Sequence, residues 1–88
     1  MITKKHLIIR YYIRMISDLK DLIGIDIFPE FIDAIDIIFY FGYNFMNESD
    51  YVQTIDDLLE INRIDINDEL FEKVCDVIID FIRLLKQL

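Results

Sequence analysis

The chain has 88 residues, of which 55% are hydrophobic and 30% are charged, and its formal net charge is −8. This length accommodates a single domain spanning residues 1–88, and the high apolar content excludes intrinsic disorder. The acidic excess disfavours binding to nucleic acid, because the phosphate backbone carries the same sign of charge.

The first predicted element is a helix that begins after Thr3, a suitable N-cap residue, and ends at Ile23. Its apolar residues recur at four-then-three spacing and therefore share one inner face. These residues are Ile8, Tyr12, Met15, Leu19 and Leu22. Gly24 follows at the position where a left-handed C-cap favours glycine.

The second predicted helix begins between Asp26 and Pro29, because the missing N–H of proline has no intrahelical partner in the first turn. It ends in the polar cluster Asn47–Asp50. A broad apolar face predicts that this is the central, most buried helix. The residues of that face are Phe31, Ile32, Ile35, Ile38, Phe39, Gly42 and Met46.

The third predicted helix begins at Ser49 or Asp50 and ends near Ile61. Its predicted inner residues are Val52, Ile55, Leu58 and Leu59. Residues 60–67 then alternate between apolar and polar, a pattern that also fits a β-strand. A lone strand has no pairing partner in this chain, so we predict an extended connection.

The last predicted helix begins after Asp65 or Asn67, since either residue is a competent N-cap. Acidic residues in its first turn complement the positive end of the helix dipole. Its inner stripe comprises Leu70, Val74, Ile78, Phe81, Leu85 and Leu88. Together the four segments predict an all-α fold, a small antiparallel bundle of about four helices.

Candidate catalytic residues are scarce. His6 is the only histidine and its neighbours are Lys4 and Lys5 rather than a carboxylate, whereas Cys75 is the only cysteine and has no nearby base in sequence. We therefore predict a surface histidine, a buried structural thiol and no enzyme activity. A single cysteine forms no intramolecular disulfide, and no secretion signal is recognised, so a cytoplasmic location is expected.

Metal and cofactor sites are also not predicted. Two acidic clusters could supply oxygen ligands to a divalent cation, but a calcium loop requires a glycine that neither cluster has nearby. These clusters are Asp56, Asp57 and Glu60, and Glu69, Glu72 and Asp76. The chain also has no cluster of His and Cys for zinc and no Gly-rich phosphate loop.

The longest uncharged run, Ile37 to Asn47, has 11 residues, whereas a membrane-spanning helix needs roughly 20. We predict no membrane span. The four bases Lys4, Lys5, Arg10 and Arg14 of the first helix could touch a membrane surface or an acidic ligand. We favour the alternative that they neutralise part of the acidic segment or lie solvated.

The charges are strongly segregated along the chain. Fourteen acidic residues and a single base, Arg63, lie between Asp21 and Glu72 and give this stretch a formal charge of −13. The first twenty residues carry +4 and the last sixteen carry +1. Because crowded carboxylates repel one another and destabilise the compact state, we expect their benefit to be attraction to a basic partner.

The second helix carries the clearest candidate binding surface. At about 100° per residue, four acidic residues and four further residues fall on its outer side. They are Asp26, Glu30, Asp33 and Asp36, followed by Ile37, Tyr40, Phe41 and Asn44. Apolar and aromatic side chains beside an acidic row are typical of a protein-binding hot spot. The alternative is that the first or third helix covers this side.

Two segments carry a resemblance to a known family. They are FPEFIDAIDIIFYF, which begins at Phe28, and IDINDELFEKV, which begins at Ile64. In their order and in their acidic and apolar pattern they resemble the small helical colicin D-like immunity proteins, over about residues 28–85. Related self-protection proteins accompany contact-dependent growth inhibition toxins.

The resemblance implies a non-enzymatic cytoplasmic protein that binds a cognate basic nuclease toxin, an RNase, in a 1:1 complex. In that family the acidic protein occupies the place of the RNA phosphates in the toxin's active-site cleft. The resemblance adds the pair Asp56 and Asp57 to the candidate contacts, and we include Glu60 of the same acidic cluster. The basic first helix departs from the family pattern. Two alternatives remain: a phage-encoded inhibitor that mimics DNA, and an obligate homodimer or structural subunit that pairs through the second helix.

Overall fold

The computed structural model describes residues 2–41 and 47–88, except for the side chains of Tyr40 and Phe41. Within these residues the chain forms four α-helices and no strand. The helices are α1 (Lys4–Ile23), α2 (Phe28–Phe41), α3 (Glu48–Ile61) and α4 (Asp68–Gln87). The prediction of a small all-α bundle of about four helices is therefore confirmed.

Three of the helices begin at a side chain that caps their free N–H groups. Thr3, Asn47 and Asn67 each accept a hydrogen bond from the backbone N–H three residues further on. Thr3 is the predicted N-cap of α1, and Asn67 rather than Asp65 is the N-cap of α4. Because Asn47 supplies the cap, α3 begins slightly earlier than the predicted start at Ser49.

Gly24 ends α1, as predicted, and its N–H donates to the carbonyl oxygen of Lys20 at 2.9 Å. Its φ is +87°, a value that L side chains rarely adopt. Its ψ of 162° differs from the left-handed helical value, so the chain leaves α1 in an extended direction. A Cβ on Gly24 would meet no atom within 4 Å, so the backbone angle and not the available space favours glycine here.

The helices pack in the order α1, α4, α3, α2. Edge-on ring contacts then bring α1 and α2 together over α4: Tyr12 lies 6.4 Å from Phe39 and 5.9 Å from Phe81 between ring centroids. Phe39 and Phe81 are 5.4 Å apart. Each helix therefore packs against the next in a closed ring, which places α1 and α3 at opposite corners of the bundle.

The core contains most of the residues that helical periodicity predicts. Two predictions are wrong: Ile8 and Val52 are each 37% exposed. Tyr51, adjacent to Val52, is fully buried instead and was not predicted. The predicted core positions Gly42 and Met46 lie outside the described residues.

The segment that connects α3 to α4 is extended after a tight turn, as predicted. Arg63 in that turn has a φ of 57°. Ile64 and Ile66 are half-buried and pack against the core, whereas Asp65 between them is exposed. The apolar–polar alternation, which could also fit a strand, thus arises because the isoleucines of this connection face the core and Asp65 faces solvent.

Candidate partner-binding site

An open groove of about 620 Å³ lies between α3, the connection that follows it and the start of α4. Apolar and acidic side chains line it in nearly equal numbers. The apolar ones are Val52, Leu59, Ile64, Ile66 and Phe71, and the charged or polar ones are Gln53, Asp56, Glu60, Arg63, Asp65 and Asp68. We refer to this feature as the acidic groove.

The helical repeat explains one wall of the acidic groove. Val52, Asp56 and Glu60 are four residues apart and therefore lie one above the other along α3. After the turn at Arg63 the chain runs back toward α4, and the first turn of that helix supplies Asp68 to the opposite wall. The groove thus depends on the turn as much as on the helices.

The acidic groove is strongly negative. Asp56, Glu60, Asp65 and Asp68 are all exposed, and Arg63 is the only base among the lining residues. No ion pair within the described residues involves any of these four carboxylates. Their charges are therefore available to a partner.

The ion pairs of the described residues lie elsewhere. Lys73 contacts Glu69 at 3.4 Å, and Arg83 contacts Asp80 at 3.4 Å. Arg83 also donates two hydrogen bonds to Glu48, from Nε at 2.5 Å and from Nη2 at 2.8 Å. This hydrogen bonding lowers the pKa of Glu48 and ties α4 to the start of α3.

The bases of α1 take no part in these ion pairs. Lys4, Lys5, Arg10, Arg14 and Lys20 are exposed, and within the described residues none of them pairs with a carboxylate. We expected these bases either to neutralise part of the acidic segment or to lie solvated, and the structure shows them solvated. The basic first helix and the acidic segment therefore do not neutralise each other through ion pairs among the described residues.

The predicted acidic row of α2 divides into two environments. Asp26, Glu30 and Asp33 are exposed, and the neighbouring Ile37 is exposed as well. Asp36 is half-buried, and its carboxylate accepts a hydrogen bond of 3.4 Å from the hydroxyl of Tyr12.

The environment of Asp36 changes its titration. Burial raises the pKa of the Asp36 carboxyl, the hydrogen bond from Tyr12 opposes this rise, and the nearby charge of Asp33 adds to it. Asp36 is thus partly withdrawn toward α1 and is a poorer contact candidate than Asp33. The side chains of Tyr40 and Phe41, and all of Asn44, lie outside the described residues.

The third group of predicted contacts lies on α3 and is exposed. Asp56 and Glu60 line the acidic groove, whereas Asp57 accepts a hydrogen bond of 2.9 Å from the side-chain amide of Gln53. The groove lies on the side of α3 that faces the start of α4. It is therefore a different surface from the acidic row of α2.

Sequence reasoning missed half of the groove's carboxylates. From the sequence, Asp65 is only a helix-capping candidate and Asp68 only a first-turn residue, yet both line the same groove as Asp56 and Glu60. The sequence does contain a pattern that could have identified Asp65. When Ile64 and Ile66 pack against the core, the side chain of Asp65 between them must point to solvent. The alternation in the connection therefore predicts an exposed carboxylate at this position.

The two candidate nucleophile or base residues are placed as expected. Cys75 is buried, and burial together with the charges of Asp76 and Asp56 raises its pKa to about 11. The thiol is therefore protonated at neutral pH and is a weak nucleophile. His6 is exposed in the first turn of α1, where it completes the cap with Thr3.

Within the described residues, no group of three or more His, Cys, Asp or Glu side chains is arranged to hold a metal ion. Over the same part of the chain, none of the helices combines the length and the apolar character needed to cross a membrane. No family model matches this chain, and neither a curated protein nor a solved structure is detectably similar to it.

Proposed function

We propose that this protein is an immunity protein, which binds a cognate basic nuclease toxin domain and neutralises it by covering its active site. The toxin in this proposal is an RNase, the complex is 1:1 and forms in the cytoplasm, and the protein itself is not an enzyme. The observation that supports it best is the acidic groove, in which four exposed carboxylates without an ion-pair partner among the described residues surround an apolar floor.

The chemistry of the groove suits a nuclease active site. Such a site must attract phosphates and therefore presents Lys and Arg side chains, whose charged heads are carried on aliphatic stems. In the acidic groove the carboxylates of Asp56 and Glu60 can accept hydrogen bonds from those heads. Leu59 and Phe71 offer an apolar floor for the stems.

Charge also favours rapid association, which a protective inhibitor needs. A net charge of −8 and an exposed acidic surface steer a basic partner toward the protein before contact. The exposed residues Glu30 and Asp33 of α2, with Asp26 just before the helix, form a second acidic surface that a larger toxin domain could reach. In the proposal Tyr40 remains a predicted anchor beside that surface.

The proposal is tested by purifying the nuclease that the protein retains at low salt from its native host and assaying RNA cleavage. A stoichiometric amount of the protein should block cleavage, and high salt should weaken the block. The double variant Asp56→Lys/Glu60→Lys should slow association by roughly tenfold or more, because two attractive charges become repulsive.

The matched control is Glu72→Lys/Asp76→Lys, which makes the same change in net charge on exposed residues of α4 outside the acidic groove. It should retain more of the inhibition. Equal loss in both variants would show that overall charge, not the groove, determines binding. Inhibition that survives in both, or a retained partner that is not a nuclease, would contradict the proposed function.

A further inference from the structure

The outer face of α1 combines exposed isoleucines with bases. Ile9 and Ile13 are 46% and 62% exposed, and Ile2, which precedes the helix, is 57% exposed. At about 100° per residue, Lys5 and Lys20 lie on the same side of the helix as Ile9 and Ile13. Arg10 and Arg14 follow at its edge. We refer to this feature as the basic α1 face.

A second copy of the chain is poorly suited to cover the basic α1 face. Lys5 and Lys20 lie near its two ends, at similar distances from its centre. If two copies paired through this face in antiparallel fashion, Lys5 of one copy would lie opposite Lys20 of the other. In a parallel pair each lysine would face itself, so like charges meet in both arrangements.

The charge of the face selects an anionic partner. The only acidic residues of α1 are Asp18 and Asp21, against its five bases Lys4, Lys5, Arg10, Arg14 and Lys20. These bases are exposed and, within the described residues, unpaired with carboxylates. Contact with an anionic surface would remove the apolar area of the isoleucines from water. The neighbouring bases would then pair with anions, so no unpaired charge would be buried in an apolar interior.

The carboxylates of the acidic groove lie away from the basic α1 face. The acidic groove is built around α3, which lies on the corner of the bundle opposite α1. The smallest dimension of the molecule is 21 Å, whereas charges are screened over about 8 Å at physiological ionic strength. A surface that touches α1 is therefore largely shielded from the carboxylates of the groove.

We propose that the basic α1 face binds the surface of an anionic phospholipid bilayer as a peripheral contact. The twenty residues of α1 form a convex face about 30 Å long, which fits a plane better than a concave pocket. Isoleucines directed into the headgroup boundary and bases at the headgroup phosphates are the features of helices that lie in a membrane interface. This contact is independent of the proposed toxin binding and leaves the acidic groove free.

The test is co-sedimentation of the full chain with vesicles at physiological ionic strength, where charges are screened over about 8 Å. One set of vesicles contains phosphatidylcholine alone and the other contains phosphatidylcholine mixed with phosphatidylglycerol. We expect retention on the anionic vesicles and release by salt. Arg10→Glu should weaken retention about tenfold, since reversing one base removes an attraction and adds a repulsion, and Ile9→Ser/Ile13→Ser should weaken it similarly.

Two matched controls lie outside the basic α1 face. Lys73→Glu makes the same charge change on α4, and Ile61→Ser removes a side chain that is 75% exposed at the end of α3. Both should bind the anionic vesicles like the unmodified chain. Thermal melting of every variant checks that these exposed substitutions leave the fold intact.

Several outcomes would overturn the proposal. Equal retention on both vesicle types, retention on neither, or equal loss in the α1 variants and the controls would each do so. Retention on immobilised polyglutamate but not on anionic vesicles would assign the face to an acidic protein instead. Self-association in the absence of lipid that Ile9→Ser/Ile13→Ser abolishes would assign it to a second copy.

Discussion

At the scale of single residues, Asp36 shows how a neighbouring helix changes the role of a side chain. Its sequence neighbours place it at the edge of the acidic row on α2, but Tyr12 of α1 contacts it and half-buries it. Burial raises its pKa, so the folded protein holds this proton more tightly than the unfolded chain does. The ionised form therefore opposes folding.

Asp36→Asn is expected to raise the melting temperature at about pH 7 and to leave it nearly unchanged at about pH 3, below the ordinary pKa of an aspartate near 3.9. The contribution of Asp36 to stability is complete below the unfolded-state pKa and is lost as the pH rises through the folded-state pKa. The asparagine removes that loss and keeps an acceptor for Tyr12. Thermal melts across this pH range measure the effect.

Glu72→Gln is the control for Asp36→Asn, because it removes one negative charge from an exposed position on α4. A gain at neutral pH that is larger for Asp36→Asn than for Glu72→Gln isolates the effect of burial. If Asp36→Asn instead lowers the melting temperature at neutral pH, the hydrogen bond from Tyr12 outweighs the cost of burying the charge.

Residue-level predictions from the sequence fail where two helices contribute to one environment. Periodicity places Val52 inward, but α3 packs against both α2 and α4, and the centre of its buried arc lies at Tyr51, Ile55 and Leu59. A tyrosine is easily assigned to the surface because of its hydroxyl group. The spacing of apolar residues within one helix does not show from which direction the other helices pack against it.

At the scale of the elements, capping residues make the helix starts predictable. Asn67 accepts a hydrogen bond of 2.8 Å from the N–H of Leu70 and so determines where α4 begins. The same first turn presents Asp68 and Phe71 to the acidic groove. The stability of α4's start and the shape of the groove are therefore linked.

Asn67→Ala is expected to destabilise the protein by about 1 kcal/mol, because an N–H group of the first turn loses its acceptor. For a domain of this length the melting temperature should fall by roughly 4–8 °C. Asn67→Ser retains an oxygen acceptor and should melt close to the unmodified protein. Equal loss in both variants would mean that the amide of Asn67 acts by something other than capping.

The turn after α3 was less predictable than the helix starts. Arg63 has a φ of 57°, an angle more often adopted by glycine or asparagine, so nothing in its residue type indicates the reversal. That reversal brings Asp65 and Asp68 beside Asp56 and Glu60. The acidic content of the candidate site is thus visible in the sequence, whereas its assembly into one groove involves a turn at Arg63 that the sequence does not indicate.

At the scale of the whole molecule, most of the described carboxylates have no ion-pair partner among the described residues. Among the described residues, ion pairs join Lys73 to Glu69 and Arg83 to Glu48 and Asp80. The stretch from Asp21 to Glu72 holds a formal −13. Repulsion among these carboxylates should therefore exceed the stabilisation from ion pairs, which at exposed positions is small.

Raising the NaCl concentration from about 10 mM to about 150 mM is accordingly expected to raise the melting temperature by a few degrees, because salt shortens the screening length from about 30 Å to about 8 Å. Asp56→Asn/Glu60→Gln should melt higher at low salt and respond less to added salt. A melting temperature that falls with salt would show that attractive pairs dominate the surface instead.

The opposite placement of basic α1 and the acidic groove on α3 gives the molecule a permanent dipole moment in addition to its net charge. A net charge only draws the protein toward an oppositely charged body, whereas a dipole in that body's field also experiences a torque. Near a strongly basic surface the protein would rotate until α3 faced it and α1 pointed away. The two corners of the bundle would thereby orient the molecule during diffusion, before any side chain made contact.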